Sequence, residues 1–504
     1  METVNQTSPD VKWEVSPTDH FDDGMAFDVP IDVPAVQKKV TPIHAAKSAR
    51  TKAKPASEKA EQSLSLRYAR YFYHTEELRI GGGRNGRTVY NWNALEARWV
   101  AMSDDEARSL ATKWLSWTCP DKVDSAKAKI CMQTALDLYA SDPSKRLPVQ
   151  DPRRPILPVI GAYLRIDDDG TIRASHPDMN AGVVHRIAAA LDWSRVGEDD
   201  VYTPRPLPAT SRLAQYLDKF VPDLEVRALL QEAVGSSLMP AAGWHKAFCM
   251  TQGGSSQIKD GSNGKSTLLK LLSALHPDSI SVDLTVLDKD PSAIADLEGK
   301  TLAISTETPD FLGKQVEQRL KAIIAGDEVR GRALYQNGRC FEPHLSLWIA
   351  LNGSGIRFQD RSAAMEERFL WIPFNVRVPR DGPDNIRNFS LLITEDPDEM
   401  GVLLDWALEG VARLCRNGKR FSDSPACVKA NDELRRVETD PTYAWMVENE
   451  VKAAGNEESP KAAVYEAYRQ SMLADENRPL AAPQFWRALR GYVEGKLGGV
   501  FQER

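Results

Sequence analysis

The residues Lys259-Asp260-Gly261-Ser262-Asn263-Gly264-Lys265-Ser266-Thr267 constrain this chain more than any other stretch. They follow an apolar run at 246–251 (KAFCMT). They precede a segment in which Leu268, Leu271, Leu272 and Leu275 recur at helical spacing. Strand, glycine-rich loop and helix, in that order, are the setting a phosphate-binding loop needs. Successive backbone N–H groups from Gly261 to Lys265, at the start of a helix, make a concave site for an anion. Lys265 is then placed to reach the β and γ phosphates of ATP, and Ser266 to offer its hydroxyl to Mg²⁺. The candidate nucleotide-binding set is Gly261, Ser262, Asn263, Gly264, Lys265, Ser266 and Thr267. One departure from G-x-x-x-x-G-K-[ST] is Lys259 at the first glycine position, and Gly261, two residues on, is expected to supply the turn. The plain alternative is a glycine-rich turn with a surface lysine; the flanking strand and helix argue against it.

A nucleotide hydrolase also needs an acid on a neighbouring strand. The run at 301–305 (TLAIS) is strand-like, and Glu307 follows it at the end where open α/β sheets bind ligands. A carboxylate there can orient or deprotonate the attacking water and help hold the metal. A third apolar strand, 345–351 (LSLWIAL), ends at Asn352, whose amide suits a γ-phosphate or water sensor. Gly353 follows, so a turn-forming Asn-Gly is the alternative. Between these strands the stretch 314–339 carries six Lys/Arg against three Asp/Glu. Gln336-Asn337-Gly338-Arg339 separates two strand-like runs, and Asn-Gly is a strong hairpin signal because a type I′ turn needs positive φ at both central residues. Arg339 is therefore expected at or beside a hairpin tip, with Arg330 and Arg332 on the stem. Cations so placed suit a nucleic-acid backbone better than base readout; a solvated hairpin is the alternative. Finally, Arg368 stands just before the apolar run 369–374 (FLWIPF), where it is a candidate to act on a neighbouring subunit's γ-phosphate. Arg361 is the weaker candidate.

The rest of the chain sets bounds. Its 504 residues are enough for two to four domains of roughly 100–200 residues. No apolar run approaches the roughly 18 residues of a membrane span. The N-terminus carries Glu2, Asp10 and Glu14 with no apolar centre, so it does not resemble a secretory signal, and a cytoplasmic location is expected. The six cysteines are scattered with no C-x-x-C pair, which argues against zinc and against a disulfide framework. Net charge is −7, unlike the usual basic nucleic-acid binder. A few cations lining a narrow channel would still suffice, because low-dielectric walls focus their field. Residues 1–60 have the composition of a disordered tail, acidic then basic. An α+β accessory domain is expected over 64–204, with helices at 104–116 and Ser125–Tyr139 and turns at Gly81-Gly82-Gly83 and Asp167-Asp168-Asp169-Gly170. Two helices over 211–238 open the ATPase domain, placed at 205–418. A small helical domain over 420–504 would carry Trp486, Arg487 and Arg490 on its last helix.

Taken in order, the NGKST loop, the strand with Glu-Thr-Pro, Leu320-Lys321 to Gly326-Asp327, the hairpin, the strand with Asn352, and Arg368 with Ile-Pro-Phe resemble the superfamily 3 DNA helicases. The likeness is greatest to the helicase part of poxvirus-type and phage or plasmid primase-helicases, and it covers about 150–415 well. Glu367 departs from the pattern, standing where relatives often have a second arginine. The resemblance implies an AAA+-like P-loop core working as a homohexamer on single-stranded or forked DNA. By position it implies that Gly264, Lys265 and Ser266 bind ATP and Mg²⁺, Glu307 activates water, Asn352 senses, and Arg368 acts in trans. Lys321, Arg330, Arg332 and Arg339 would couple ATP to DNA. It further implies that the domain after 420 is winged-helix-like, and that the setting is replication of a phage, plasmid or other mobile element in a bacterial host. No metal-binding D-x-D pair stands out over 64–204, so a primase, if one takes part, is expected on a separate chain, as a polymerase would be. A replication initiator or DNA-binding scaffold that uses ATP only to assemble is the rival from another class. A P-loop kinase for a small metabolite is the third, and the hairpin and Arg368 would then have no role.

Overall fold

The computed structural model describes residues 63–82, 87–151, 155–251, 263–306, 312–332, 338–351, 367–378, 388–430, 432, 440–449, 451, 459–474 and 478–496. Gly261, Ser262, Glu307, Asn352 and Arg361, like the tail 1–60, lie outside them.

The first module joins α1 (Leu64–His74) to an antiparallel sheet of β1 (Leu78–Gly81), β2 (Thr88–Asn93) and β3 (Arg98–Ala101). Helices α2 (Asp104–Thr118) and α3 (Ser125–Tyr139) complete it. α2 starts where it does because Ser103 and Glu106 form a reciprocal capping box, which satisfies two backbone donors that a helix start otherwise leaves open. Tyr68, Phe72, Ala111, Leu115, Cys131 and Ala135 form its core. A second antiparallel sheet follows: β4 (Leu157–Val159), β5 (Ala162–Ile166) and β6 (Ile172–Ser175). The β5–β6 turn is the predicted Asp-Asp-Asp-Gly, with Gly170 at φ +81°. That angle, favoured by glycine, lets the chain reverse.

Helices α4 (Arg212–Phe220) and α5 (Leu224–Ser237) lead into the central sheet. Its strands and crossovers run β7 (Ala247–Thr251), α6 (Lys265–Leu275), β8 (Ser279–Ser281), α7 (Pro291–Ala295), β9 (Leu302–Ser305) and α8 (Lys314–Ala325). A hairpin of β10 (Val329–Gly331) and β11 (Arg339–Phe341) precedes β12 (Ser346–Ala350) and β13 (Phe369–Pro373). The sheet is five-stranded, in the order β13-β7-β12-β9-β8, and every pairing is parallel. Parallel strands need both faces covered, and the side chains alternate to suit. Phe248, Met250, Ile304, Trp348 and Ile372 enter the core shared with α4, α5 and α6. Ala247, Cys249, Ala303, Leu347, Ile349 and Trp371 enter the core under α8 and the hairpin. The first of these cores also takes in Leu157, Leu164 and Ile172, so the β4–β6 sheet and the central sheet share one interior.

After β13 come α9 (Leu391–Thr394) and the long α10 (Pro397–Arg416). α10 lies against α5 closely enough that a Cβ on Gly235 would sit 2.4 Å from the Ala407 carbonyl oxygen, and one on Gly410 2.2 Å from that of Gln231. Buried Glu232 pins the pair, accepting from Arg413 Nε (2.8 Å), the Ser422 amide (2.7 Å) and the Ser422 hydroxyl (2.6 Å). Last, α11 (Pro441–Glu448), α12 (Lys461–Ala474) and α13 (Ala482–Lys496) pack around Trp445, Tyr468 and Phe485. Among the described residues no strand follows β13. Trp486 packs half-buried against that core, while Arg487 and Arg490 are exposed. No helix among the described residues is long and apolar enough to cross a membrane.

Candidate functional site: the carboxyl edge of the parallel sheet

The central sheet brings the ends of β7, β12 and β9 side by side. Ile349 of β12 is level with Cys249 on one flank and with Ser305 on the other. The glycine loop leaves β7, the sensor position follows β12, and the acid position follows β9 after Thr306. The strand leading to Asn352 thus stands between the loop strand and the strand leading to Glu307.

Gly264 caps α6 at φ +86°, and no side chain caps that helix start. The first N–H groups of such a helix have no partner within the helix and carry its positive end. A Cβ on Gly264 would meet Phe220 Cγ at 2.6 Å, and the Tyr216 hydroxyl donates to the Gly264 carbonyl at 3.0 Å. The end of α4 is therefore a back wall that fixes the loop's last turn. Lys265 is buried, and its ammonium donates to the Leu351 carbonyl at the end of β12. Burial alone pushes its amine down to about 8. Asn263 Nδ2 and Thr251 Oγ1 are also buried and have no hydrogen-bond partner. Buried donors without partners are uncommon and each costs free energy. A buried ammonium, an unpartnered amide and an uncapped helix start on one loop together fit a phosphate group.

On the flank toward β8, a cavity of about 270 Å³ opens between α6 and the ends of β8 and β9. Ser266, Lys270, Ser273, Ser281 and Thr306 supply its polar lining. It sets the loop serine and the end of β9 on one space.

The predicted cations fall into two groups. Lys321 is on α8, half-buried, whereas Arg330 and Arg332 on the hairpin are exposed. Arg339 opens β11 opposite Gly331 and forms an ion pair with Glu298. The residues between them, 333–337, lie outside the described set. Arg368 is half-buried at the start of β13, where its carbonyl accepts from the Ala247 amide at 2.8 Å. Because β13 runs parallel to β7 with Phe369 level with Ala247, Arg368 lies at the amino end of these strands, about 15 Å along them from Thr251. Tyr216, Phe220 and Thr251 are not marked as site residues by the sequence; only Thr251, a polar residue closing an apolar strand, leaves any sign there.

Residues 259–368 match the model of a family of unknown function (DUF5906). No curated protein matches the sequence. Among solved structures, the NrS-1 C-terminal region is similar at 14% identity, covering 69% of this chain and 89% of that one, with a TM-score of 0.34. JCV helicase is similar at 16% identity over 47% of this chain and 70% of that one, with a TM-score of 0.18.

Proposed function

We propose that this chain is an ATP-hydrolysing DNA helicase of the superfamily 3 kind, with an AAA+-like core, that works as a homohexamer in the replication of a phage, plasmid or other mobile element. What supports the reading most is the buried Lys265 at a helix start, its ammonium on the Leu351 carbonyl, beside the ends of two further parallel strands that Asn352 and Thr306-Glu307 follow in the sequence. The loop from Gly261 to Thr267 would bind the triphosphate. Glu307 would take the proton of the attacking water, and Asn352 would hold that water or the γ-phosphate in line. Mg²⁺, for which Ser266 and Glu307 are the fitting side chains, would supply charge neutralisation on the phosphate oxygens. Arg368 would act on the site of an adjoining subunit, in keeping with its distance from its own loop. Lys321, Arg330, Arg332 and Arg339 would contact the DNA backbone.

The test is ATP turnover with and without single-stranded DNA, together with unwinding of a forked duplex. Lys265→Ala should lose turnover by a factor on the order of 10²–10³, as removal of a principal charge-stabilising donor does. A wild-type protein that neither unwinds the fork nor speeds up with single-stranded DNA would defeat the helicase reading. ATP binding without either activity would favour an initiator or scaffold.

A further inference from the structure

The hairpin base is bolted to α7. A Cβ on Gly331 would lie 2.6 Å from both the Cα and the amide nitrogen of Ala295, so only glycine allows the strand to approach this closely. The Arg332 amide donates to the Pro291 carbonyl at 3.0 Å, which fixes the same approach. Arg339 is the register partner of Gly331. Its guanidinium therefore arrives beside the chain leaving α7, where Glu298 sits with its amide bonded to the Ala295 carbonyl at 3.1 Å. The two side chains form an ion pair, the arginine 40% and the carboxylate 26% exposed. Burial raises the Glu298 carboxyl above its ordinary value, and Arg339 opposes that shift. Tyr90 of the first module is close enough to feel both charges.

We propose that Glu298 is a positioning residue that competes with nucleic-acid phosphate for Arg339. This rests on the reading of the hairpin as a DNA contact. A partly exposed pair of this kind adds little net stability, so a phosphate can displace it. Glu298 engages a terminal nitrogen of the Arg339 guanidinium, and its negative charge repels a phosphate that approaches the same group. When the backbone of a single strand reaches the hairpin, the guanidinium exchanges Glu298 for a phosphate oxygen, and Glu298 turns to water. Glu298 thereby sets a threshold: it weakens non-specific capture of polyanions.

The test is the affinity of the full-length protein for a fluorescent oligo-dT strand. Glu298→Gln keeps the side-chain volume and removes the competitor, so binding should tighten about fivefold. In an Arg339→Gln background the same change should leave affinity within about twofold. No tightening overturns the proposal. Equal tightening in both backgrounds overturns it too, since that would be a general loss of negative charge. Should Glu298→Gln fail to fold, Glu298→Asp draws the carboxylate back by one methylene, and it must then give a smaller tightening of the same sign. If the protein binds oligo-dT but Glu298 has no effect, the helicase reading stands and this proposal alone falls. If the wild type binds no DNA, both fall.

Discussion

Lys265 shows what one residue's surroundings can do to its chemistry. Its amine is buried and donates to the Leu351 carbonyl, and burial holds its proton weakly, with a pKa of about 8. Phosphate binding needs the ammonium. Above about pH 8 the free protein must first take up a proton, so nucleotide affinity should fall by up to about tenfold per pH unit, while below pH 7 it should be flat in this group. Calorimetric titration with ADP from pH 7 to 9.5 checks this, and a flat profile would mean that Lys265 keeps its charge by some other contact. The lysine itself was legible because loop, strand and helix are contiguous in the chain. Tyr216 and Phe220 were not, because nothing in an amphipathic helix some forty residues upstream marks which ring will lie under a glycine. Glu298 escaped for the same reason, since Arg339 reaches it only through the close approach of Gly331 to Ala295.

At the scale of elements, periodicity and turn residues located most of what is present. The helices at Lys265–Leu275 and Ser125–Tyr139 have the predicted limits, and the predicted strands are trimmed by a residue or two at most ends. The run at 329–335 shortens further, to Val329–Gly331 among the described residues. α7 and β8 were missed, being five and three residues long, too short for a period to register. The sequence also says nothing of how closely α5 and α10 touch. Gly235 and Gly410 face each other's backbones, where even a methyl group has no room. Gly410→Ala should therefore destabilise by about 3 kcal/mol through overpacking, despite alanine's better helix propensity. Gly491, in α13, has nothing within 4 Å of an added Cβ. Gly491→Ala should be neutral or stabilise by up to ~1 kcal/mol. Denaturant melts of the two variants give the comparison; equal stability would mean that the helix pair can slide apart at no cost.

For the whole molecule the decisive fact is strand order. The parallel sheet β13-β7-β12-β9-β8 puts the strand leading to Asn352 between those leading to the glycine loop and to Glu307. No local pattern contains that information, since each pairing joins segments tens of residues apart. The parallel register of β13 on β7 places Arg368 at the amino end of the sheet, away from Thr251. If the chain works as a ring, Arg368→Ala and Glu307→Ala should each abolish turnover alone, the first by a factor on the order of 10³–10⁵. Mixed in equal amounts, the two should regain part of it at interfaces where an intact arginine meets an intact acid. Absence of any rescue, read beside the native mass of the protein with an ATP analogue and single-stranded DNA, would count against an arginine shared between copies.

The clasp at the other end of α6 carries a consequence of its own. The Ala188 amide bonds the Leu275 carbonyl at 2.9 Å, and Arg98 of β3 holds Asp278, just beyond the helix, through both carboxylate oxygens at 3.0 and 3.1 Å. The helix that begins at Lys265 is thus gripped from behind by chain that comes well before it. A module hung by a tether could be exchanged at will, whereas grafting this helix and its sheet onto a foreign front end would require rebuilding that grip.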